Sequence, residues 1–130
     1  MTPRTGLDAL LAIADRAVDD DRAEVTMRAG EDHLNPAGAV HGGAIATLID
    51  VAMGRAFGSG LARDETPVTI EMKVNYLEPG RPGELVATAR VLRRGRRFTV
   101  VHAEVVQVDD GETLAEAIGT FTSTHLLHWA

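Results

Sequence analysis

Asp50 is a single carboxylate inside an apolar run that begins at two adjacent glycines. The surrounding segment, residues 33–54, reads HLNPAGAVHGGAIATLIDVAMG. It orders a polar loop with His33 and Asn35, a turn at Pro36 and Gly38, the triplet His41-Gly42-Gly43, and a helical stretch carrying Asp50. Glycines at a helix start let a ligand approach bare backbone N–H groups, where the helix dipole favours developing negative charge. An acid among Ile45, Leu48, Ile49, Val51 and Met53 is costly to bury unless it has a partner or a task. Helix-start amides and a placed carboxylate together suggest an active site.

The spacing limits how those parts can combine. Asp50 follows Gly42 by eight residues, which is about 12 Å along a helix rising roughly 1.5 Å per residue. A carbonyl held at the Gly42 amide is therefore out of reach of Asp50 on the same helix. Chemistry that needs both must take them from two chains whose helices run antiparallel. At about 100° per residue, Gly43, Ala46, Thr47, Asp50 and Gly54 share one helix face, and Ile45, Leu48, Ile49, Ala52 and Ala56 share the opposite one. The small-residue face leaves room for a partner or a thin ligand arm, so the spacing favours a homodimer.

Each of these residues also has a plainer reading. Asp50 could pair with an arginine such as Arg55, and Gly42 with Gly43 could serve tight packing against a sheet. His41 fits a loop organiser better than an acid–base group, because Asp50 already fills that role. Thr69 could be an ordinary β-former on the polar face of a strand. His33, His41 and Asp50 do not match a metal-ligand spacing, and a helix start repels a cation, so no metal is expected. His125 and His128 read as surface residues. Arg93, Arg94, Arg96 and Arg97 place four basic residues within five positions. They make either a solvated hairpin tip or a clamp for phosphates, which guanidinium groups bind through paired hydrogen bonds.

The rest of the chain must position these groups. Leu7, Leu10, Leu11, Ala14 and Val18 recur at helical spacing, which predicts an amphipathic helix over 6–18 that stops before the acidic run 19–21. Alternation at Ala23, Val25, Met27 and Ala29 predicts a first strand ending at Gly30. A loop over 31–41 leads to a long helix over 42–58. After Pro67 the period becomes two, with Val68, Ile70, Met72, Val74 and Tyr76 on one face and Thr69, Glu71, Lys73 and Asn75 on the other. Further strands are expected near 84–93, over 97–108 and from about 113 to 126, the last two joined by the hairpin signal Asp109-Asp110-Gly111. Consecutive hairpins imply an antiparallel sheet whose face buries the long helix, an α+β arrangement in one domain over 1–130.

With 130 residues, 45% hydrophobic and 25% charged, the chain has the make-up of one globular domain. A net charge of −6 argues against general nucleic-acid binding, and the absence of cysteine excludes a disulfide framework or a cysteine nucleophile. The N-terminal stretch is broken by Asp8, Asp15 and Arg16, so it reads as neither a signal peptide nor a membrane span, and a cytoplasmic protein is expected.

The residues Asn35-x-x-Gly38-x-x-His41-Gly42-Gly43, followed by Leu48-x-Asp50 and Ala52-x-Gly54, resemble the hotdog-fold acyl-CoA thioesterases of the phenylacetate-pathway (PaaI) type. Val68-Thr69-Ile70-Glu71, Asn75-Tyr76-Leu77-x-Pro79, Gly83-Glu84-Leu85 and Gly95-Arg96-Arg97 extend the resemblance over about residues 22–122. It implies a five-stranded antiparallel sheet wrapped around the central helix, preceded by an N-terminal helix. It also implies homodimers with shared active sites, commonly paired into homotetramers, and no cofactor. In this reading the Gly42 amide, aided by Gly43, polarises a thioester carbonyl, and Asp50 acts as base or nucleophile. Asn35 would lie near the carbonyl and water, His41 would support the loop, and Thr69 would help hold the water. Arg94, Arg96 and Arg97 would contact the coenzyme A phosphates. The substrate is expected to be an acyl-CoA, with aryl or arylacetyl groups favoured by analogy and short or medium chains also fitting. A hotdog hydratase or dehydratase and a non-catalytic acyl-CoA-binding protein are the competing functions. Hydration of an enoyl thioester without thiol release would mark the former, and binding without turnover the latter.

Overall fold

A computed structural model describes residues 6–125. In chain order these form α1 (Gly6–Leu10), β1 (Ile13–Asp19), β2 (Arg22–Ala29), a 3-10 turn (Glu31–His33), α2 (Gly42–Gly58), β3 (Glu65–Tyr76), β4 (Gly83–Arg94), β5 (Thr99–Gln107) and β6 (Thr113–His125). The strands make one antiparallel sheet in the order β1-β2-β4-β5-β6-β3, and α2 lies across one of its faces against β2, β3, β4 and β5. This is the hotdog arrangement that the hairpin pattern and the long helix implied, with six strands instead of five.

The extra strand corrects the expected helix over 6–18. The helical run stops after Leu10, and Ala12 takes a left-handed backbone with φ of 52°. From Ile13 the chain is extended and pairs with β2 from Ile13↔Met27 to Asp19↔Arg22. Asp20 and Asp21, with φ of 45° and 65°, form the two-residue turn between those strands. Asp tolerates that backbone region better than most residues, and two successive positive φ values match the twist of a tight hairpin. The acidic run is thus a hairpin turn and not the end of a helix. Helical spacing misled because Leu7 and Leu10 remain 56% and 73% exposed, so no core contact fixes a longer helix there.

The core is the layer between α2 and the sheet. Ile45, Leu48, Ile49, Ala52, Met53 and Ala56 on the helix meet Val25, Met27, Leu85, Ala87, Val101, Val105 and Phe121 on the strands, all buried. Burying one large aliphatic or aromatic side chain contributes about 1.5–3 kcal/mol. The opposite helix face, with Ala46, Thr47, Asp50 and Gly54, is only partly covered and Gly43 is exposed, as the helical spacing required.

Two local features decide where site residues point. A bulge between Thr69 and Glu71 leaves Ile70 as the extra residue, since Thr69 pairs with Phe121 and Glu71 with the adjacent Thr120. Thr69 therefore shares the helix side with the buried Phe121, while Ile70 is 51% exposed. This corrects the uniform alternation that put Thr69 on the polar face and Ile70 with the core. At the β5–β6 hairpin, Gly111 takes φ of 74° and Arg81 clamps Asp109 and Asp110 at 2.7 and 3.1 Å. The Glu112 N–H, together with that guanidinium, holds the Asp110 carboxyl below the usual carboxylate range. Strand β5 begins at Thr99, so Arg97 and Phe98 belong to the turn before it. His125 lies at the end of β6 with Asp64 at 3.2 Å, and Leu126 and His128 lie outside the described residues.

Candidate active site

The start of α2 is built by its own loop. His41 is the N-cap, and its Nδ1 accepts a hydrogen bond from the Gly43 N–H at 2.9 Å. Its carbonyl accepts from Ala44 and Ile45 at 2.9 and 3.1 Å. An accepting Nδ1 leaves the ring proton on Nε2, so the cap requires neutral His41. Gly43 is thereby withdrawn from any ligand. The Gly42 N–H has no acceptor among the described residues and remains the donor available at the helix start.

The preceding loop is held in place by side chains and backbone. Asn35 Oδ1 accepts from Ala37 and Ala39 at 3.0 and 3.1 Å, and its own N–H donates to the Ala39 carbonyl at 2.7 Å. This turn leaves the Asn35 amide nitrogen as its free polar end. His41 N–H donates to the His33 carbonyl at 2.8 Å, and Val40 N–H to the Gly80 carbonyl at 2.9 Å. His33 is itself a structural pin, accepting from Gly30 N–H at 3.0 Å and meeting the Leu10 carbonyl at 2.7 Å. Among the described residues no cluster of His, Asp or Glu is placed to hold a metal ion.

Tyr76 is a member of this site that its residue type and spacing did not single out. It follows the β3 bulge on the helix-facing side, and its hydroxyl donates to the Gly42 carbonyl at 2.9 Å. Asn35, Val40, Gly42, Tyr76 and Pro79 line an open cavity of about 310 Å³. Neither glycine is closely packed by the sheet backbone. A Cβ at Gly42 would meet only the Tyr76 ring, at 3.4 Å and beyond, and one at Gly43 would meet only the His41 ring, from 3.2 Å.

Asp50 faces a second cavity, of about 230 Å³, with Gly54, Pro67, Thr69 and Phe121. The Thr69 hydroxyl donates to Asp50 Oδ1 at 2.5 Å across the space between β3 and α2. Arg55 does not pair with Asp50; it reaches Asp15 on β1 at 3.3 Å. Asp50 is thus anchored by a neutral hydroxyl, and no cation lies within ion-pair distance of it among the described residues. The structure brings Thr69 to Asp50, and Asn35, His41 and Tyr76 to Gly42. It keeps the two groups in separate cavities on one chain.

The arginine cluster divides. Arg94 Nη2 donates to Asp21 Oδ1 at 2.7 Å and to the Phe57 carbonyl at 3.1 Å, with its guanidinium 5.0 Å from the Phe57 ring centre. It therefore ties the β1–β2 turn to the C-terminal end of α2, where a cation suits the dipole. Its guanidinium is thus engaged within the chain while still reaching the surface. Arg93, Arg96 and Arg97 are exposed, and Arg97 lies 5.9 Å from the Phe98 ring centre. The Arg94–Asp21 pair spans 73 positions of sequence and left no local signal.

Comparison with known proteins agrees with this fold. The model of the thioesterase superfamily matches residues 37–114. The conserved protein PA5202 from Pseudomonas aeruginosa superimposes with a TM-score of 0.87 at 37% identity, covering 93% of this chain and 95% of that one. The PaaI protein of the Escherichia coli phenylacetic acid degradation operon superimposes at 0.82 with 29% identity, over 90% of this chain and 83% of its own. Acyl-coenzyme A thioesterase 13 of Homo sapiens is 31% identical over 91 residues, 69% of this chain and 64% of that protein. The chain spans between half and 70% of the length of the first curated relatives it matches. No described helix is long and apolar enough to cross a membrane.

Proposed function

The chain belongs to the thioesterase superfamily, and on that premise we propose that it hydrolyses acyl-CoA thioesters at sites shared by two copies of itself. The observation that carries this reading is the unclaimed Gly42 N–H at one end of the half-covered helix face and the Thr69-anchored Asp50 further along it. A partner helix laid antiparallel on that face, crossing near Ala46, sets the Asp50 of one copy against the Gly42 of the other. Gly43, Ala46 and Thr47 supply the small surface such a crossing needs. Strand β3 is an edge of 12 residues, and long bare edges favour pairing with a second copy.

In this arrangement the thioester carbonyl oxygen takes the Gly42 N–H, and the partner's Asp50 removes a proton from water. Hydroxide oxygen bonds to the carbonyl carbon, and the resulting oxyanion stays on the helix-start amide. Collapse breaks the C–S bond, and the departing thiolate takes the proton held by Asp50, leaving RCOOH, CoASH and the free carboxylate. Thr69 leaves Asp50 Oδ2 open for the water. Asn35 contributes its free amide nitrogen beside the carbonyl, and neutral His41 together with Tyr76 holds the first helical turn in place. Arg96 and Arg97 meet the coenzyme A phosphates, with Arg94 bracing the turn beneath them. Likeness to PaaI favours aryl or arylacetyl groups.

A thiol-release screen over aryl, arylacetyl, short- and medium-chain acyl-CoAs tests the reading. Wild type should release thiol from at least one class, and Asp50→Asn should release almost none. Equal release by the two would overturn the role of Asp50.

A further inference from the structure

Two open cavities flank the first turns of α2. At about 100° per residue, Gly42 and Ile45 point to one side of the helix, and Gly43, Ala44 and Thr47 to the other. The first pair lines the cavity that also holds Asn35 and Tyr76. The second set lines a cavity of about 290 Å³ whose other walls include Leu7 on α1, Leu11 just after it, and Leu34. Helix α1 has five residues and buries none of them, leaving Leu7 56% exposed. So short a helix does not hold itself together in water. It is tied down by the His33 ring, which meets the Leu10 carbonyl at 2.7 Å, and by the Arg28 N–H on the Ala12 carbonyl at 3.2 Å. The chain thus keeps an apolar wall beside the helix start that the core does not consume. Most polar groups along this cavity already have partners. The Gly43 N–H bonds His41, the Thr47 hydroxyl donates to the Gly43 carbonyl at 2.9 Å, and both His33 ring nitrogens meet backbone groups. Asp32 lines it as an exposed carboxylate, and among the described residues no Lys or Arg does.

We propose that Leu7, Leu11 and Asp32 set the selectivity of the site: this cavity takes the acyl group and confines it to uncharged hydrocarbon of one ring or a short chain. On the acyl-CoA reading above, which this assignment presupposes, a carbonyl on the Gly42 N–H sends its two substituents to opposite sides of the helix start. The pantetheine arm carries amides, which suit the side with the free Asn35 amide and the exposed Tyr76 and Glu78. The acyl group then goes to the leucine walls, where a hydrocarbon gives up no hydrogen bonds on leaving water. A volume of about 290 Å³ stands at the lower limit of ligand sites, which run from about 300 to 1,000 Å³. It leaves room for an aryl or arylacetyl group and not for a long fatty chain. A carboxylated acyl group would meet Asp32 with no cation there to offset it. Helix α1 is therefore a selectivity element, and it belongs to the chain that supplies Gly42 and not to the one that supplies Asp50.

The test is calorimetric binding of three coenzyme A thioethers that keep a ketone and cannot be hydrolysed: S-acetonyl-CoA, S-phenacyl-CoA and S-(para-carboxyphenacyl)-CoA. Wild type should bind the phenacyl compound about 10- to 100-fold more tightly than the acetonyl compound, the gain expected from burying a ring. Leu7→Ala with Leu11→Ala should cut that preference about tenfold and leave acetonyl binding unchanged. Leu7→Ala alone, at an exposed position where the fold is not at stake, should show part of the same loss. Asp32→Lys should tighten binding of the para-carboxyphenacyl compound about tenfold without changing that of the phenacyl compound. Circular dichroism reports that each variant is folded. No ring preference in wild type, an undiminished preference in the leucine variants, or an equal loss for all three thioethers would overturn the assignment. Thiol release from phenylacetyl-CoA is read in parallel. Ring preference without thiol release would remove hydrolysis and leave the acyl cavity standing. Thiol release with a ring preference that both leucine variants keep would remove the cavity and leave hydrolysis standing.

Discussion

The hydroxyl of Thr69 and the carboxylate of Asp50 meet at 2.5 Å because a one-residue bulge turns Thr69 toward the helix. Without the bulge, Thr69 and Asp50 would lie on opposite sides of the sheet. A hydrogen bond to a charged group contributes about 1.5–3 kcal/mol. Thr69→Val should lower kcat by roughly 10- to 100-fold with a smaller effect on KM. Thr69→Ser should recover most of the loss. A Thr69→Val enzyme with wild-type kcat would remove this residue from the account.

Proton transfer by Asp50 and direct attack by Asp50 differ in where water's oxygen goes. We expect a single turnover in ¹⁸O-water to place the label in the product acid, with none in Asp50 when the protein is digested and weighed. Label in Asp50 after repeated turnovers would show that the carboxylate itself attacks.

The first turn of α2 should separate stability from rate. His41→Ala removes an N-cap acceptor, worth about 1 kcal/mol, and should lower the melting temperature by a few degrees. Because the Gly42 N–H is not held by His41, kcat should fall less than tenfold. A thousandfold loss of kcat in a stable His41→Ala protein would make His41 a reacting group.

The arginines should divide in the same way. Arg94→Ala loses Asp21, the Phe57 carbonyl and the Phe57 ring at once. It should lower stability by about 1–3 kcal/mol, seen as a reduced denaturant midpoint. Arg96→Ala with Arg97→Ala should leave stability unchanged and raise KM for acyl-CoA more than for the matching acyl-pantetheine. Equal KM changes for the two thioesters would end the clamp assignment.

The parts readable in the sequence were those fixed by short-range physics. Helix α2 runs over Gly42–Gly58 as its apolar period and flanking glycines implied, and its half-covered face is the one that small residues mark. Strand β2 and the β5–β6 turn follow from alternation and from Asp109-Asp110-Gly111. What failed depended on partners far along the chain. Leu7, Leu10 and Leu11 have helical spacing, but β1 exists because β2 offers it a ladder, and the reversals at Ala12 and Asp20-Asp21 show only in the folded backbone. A bulge at Ile70 leaves no trace in a period-two pattern, so the side taken by Thr69 could not be read. Arg94 looked like its neighbours until folding brought Asp21 and Phe57 to it. Gly42, His41, Asn35 and Asp50 could be picked out as candidates because they lie on one loop and one helix; Tyr76 could not, since its contact with Gly42 spans 34 positions.

The central claim is that one chain supplies the amide and another the acid, and it can be tested by mixing two inactive variants. Gly42→Pro deletes the N–H at the first helical position, where proline is well accommodated, and His41 already has ψ of 134°, as a residue before proline prefers. It should fold as wild type and lose about 10²- to 10³-fold in kcat. Asp50→Asn should be equally inactive. Unfolded together and refolded as mixed dimers, the pair should recover about a quarter of wild-type activity, since half the dimers are mixed and each carries one complete site. Mixed dimers with no more thiol release than the separate variants would contradict the shared site.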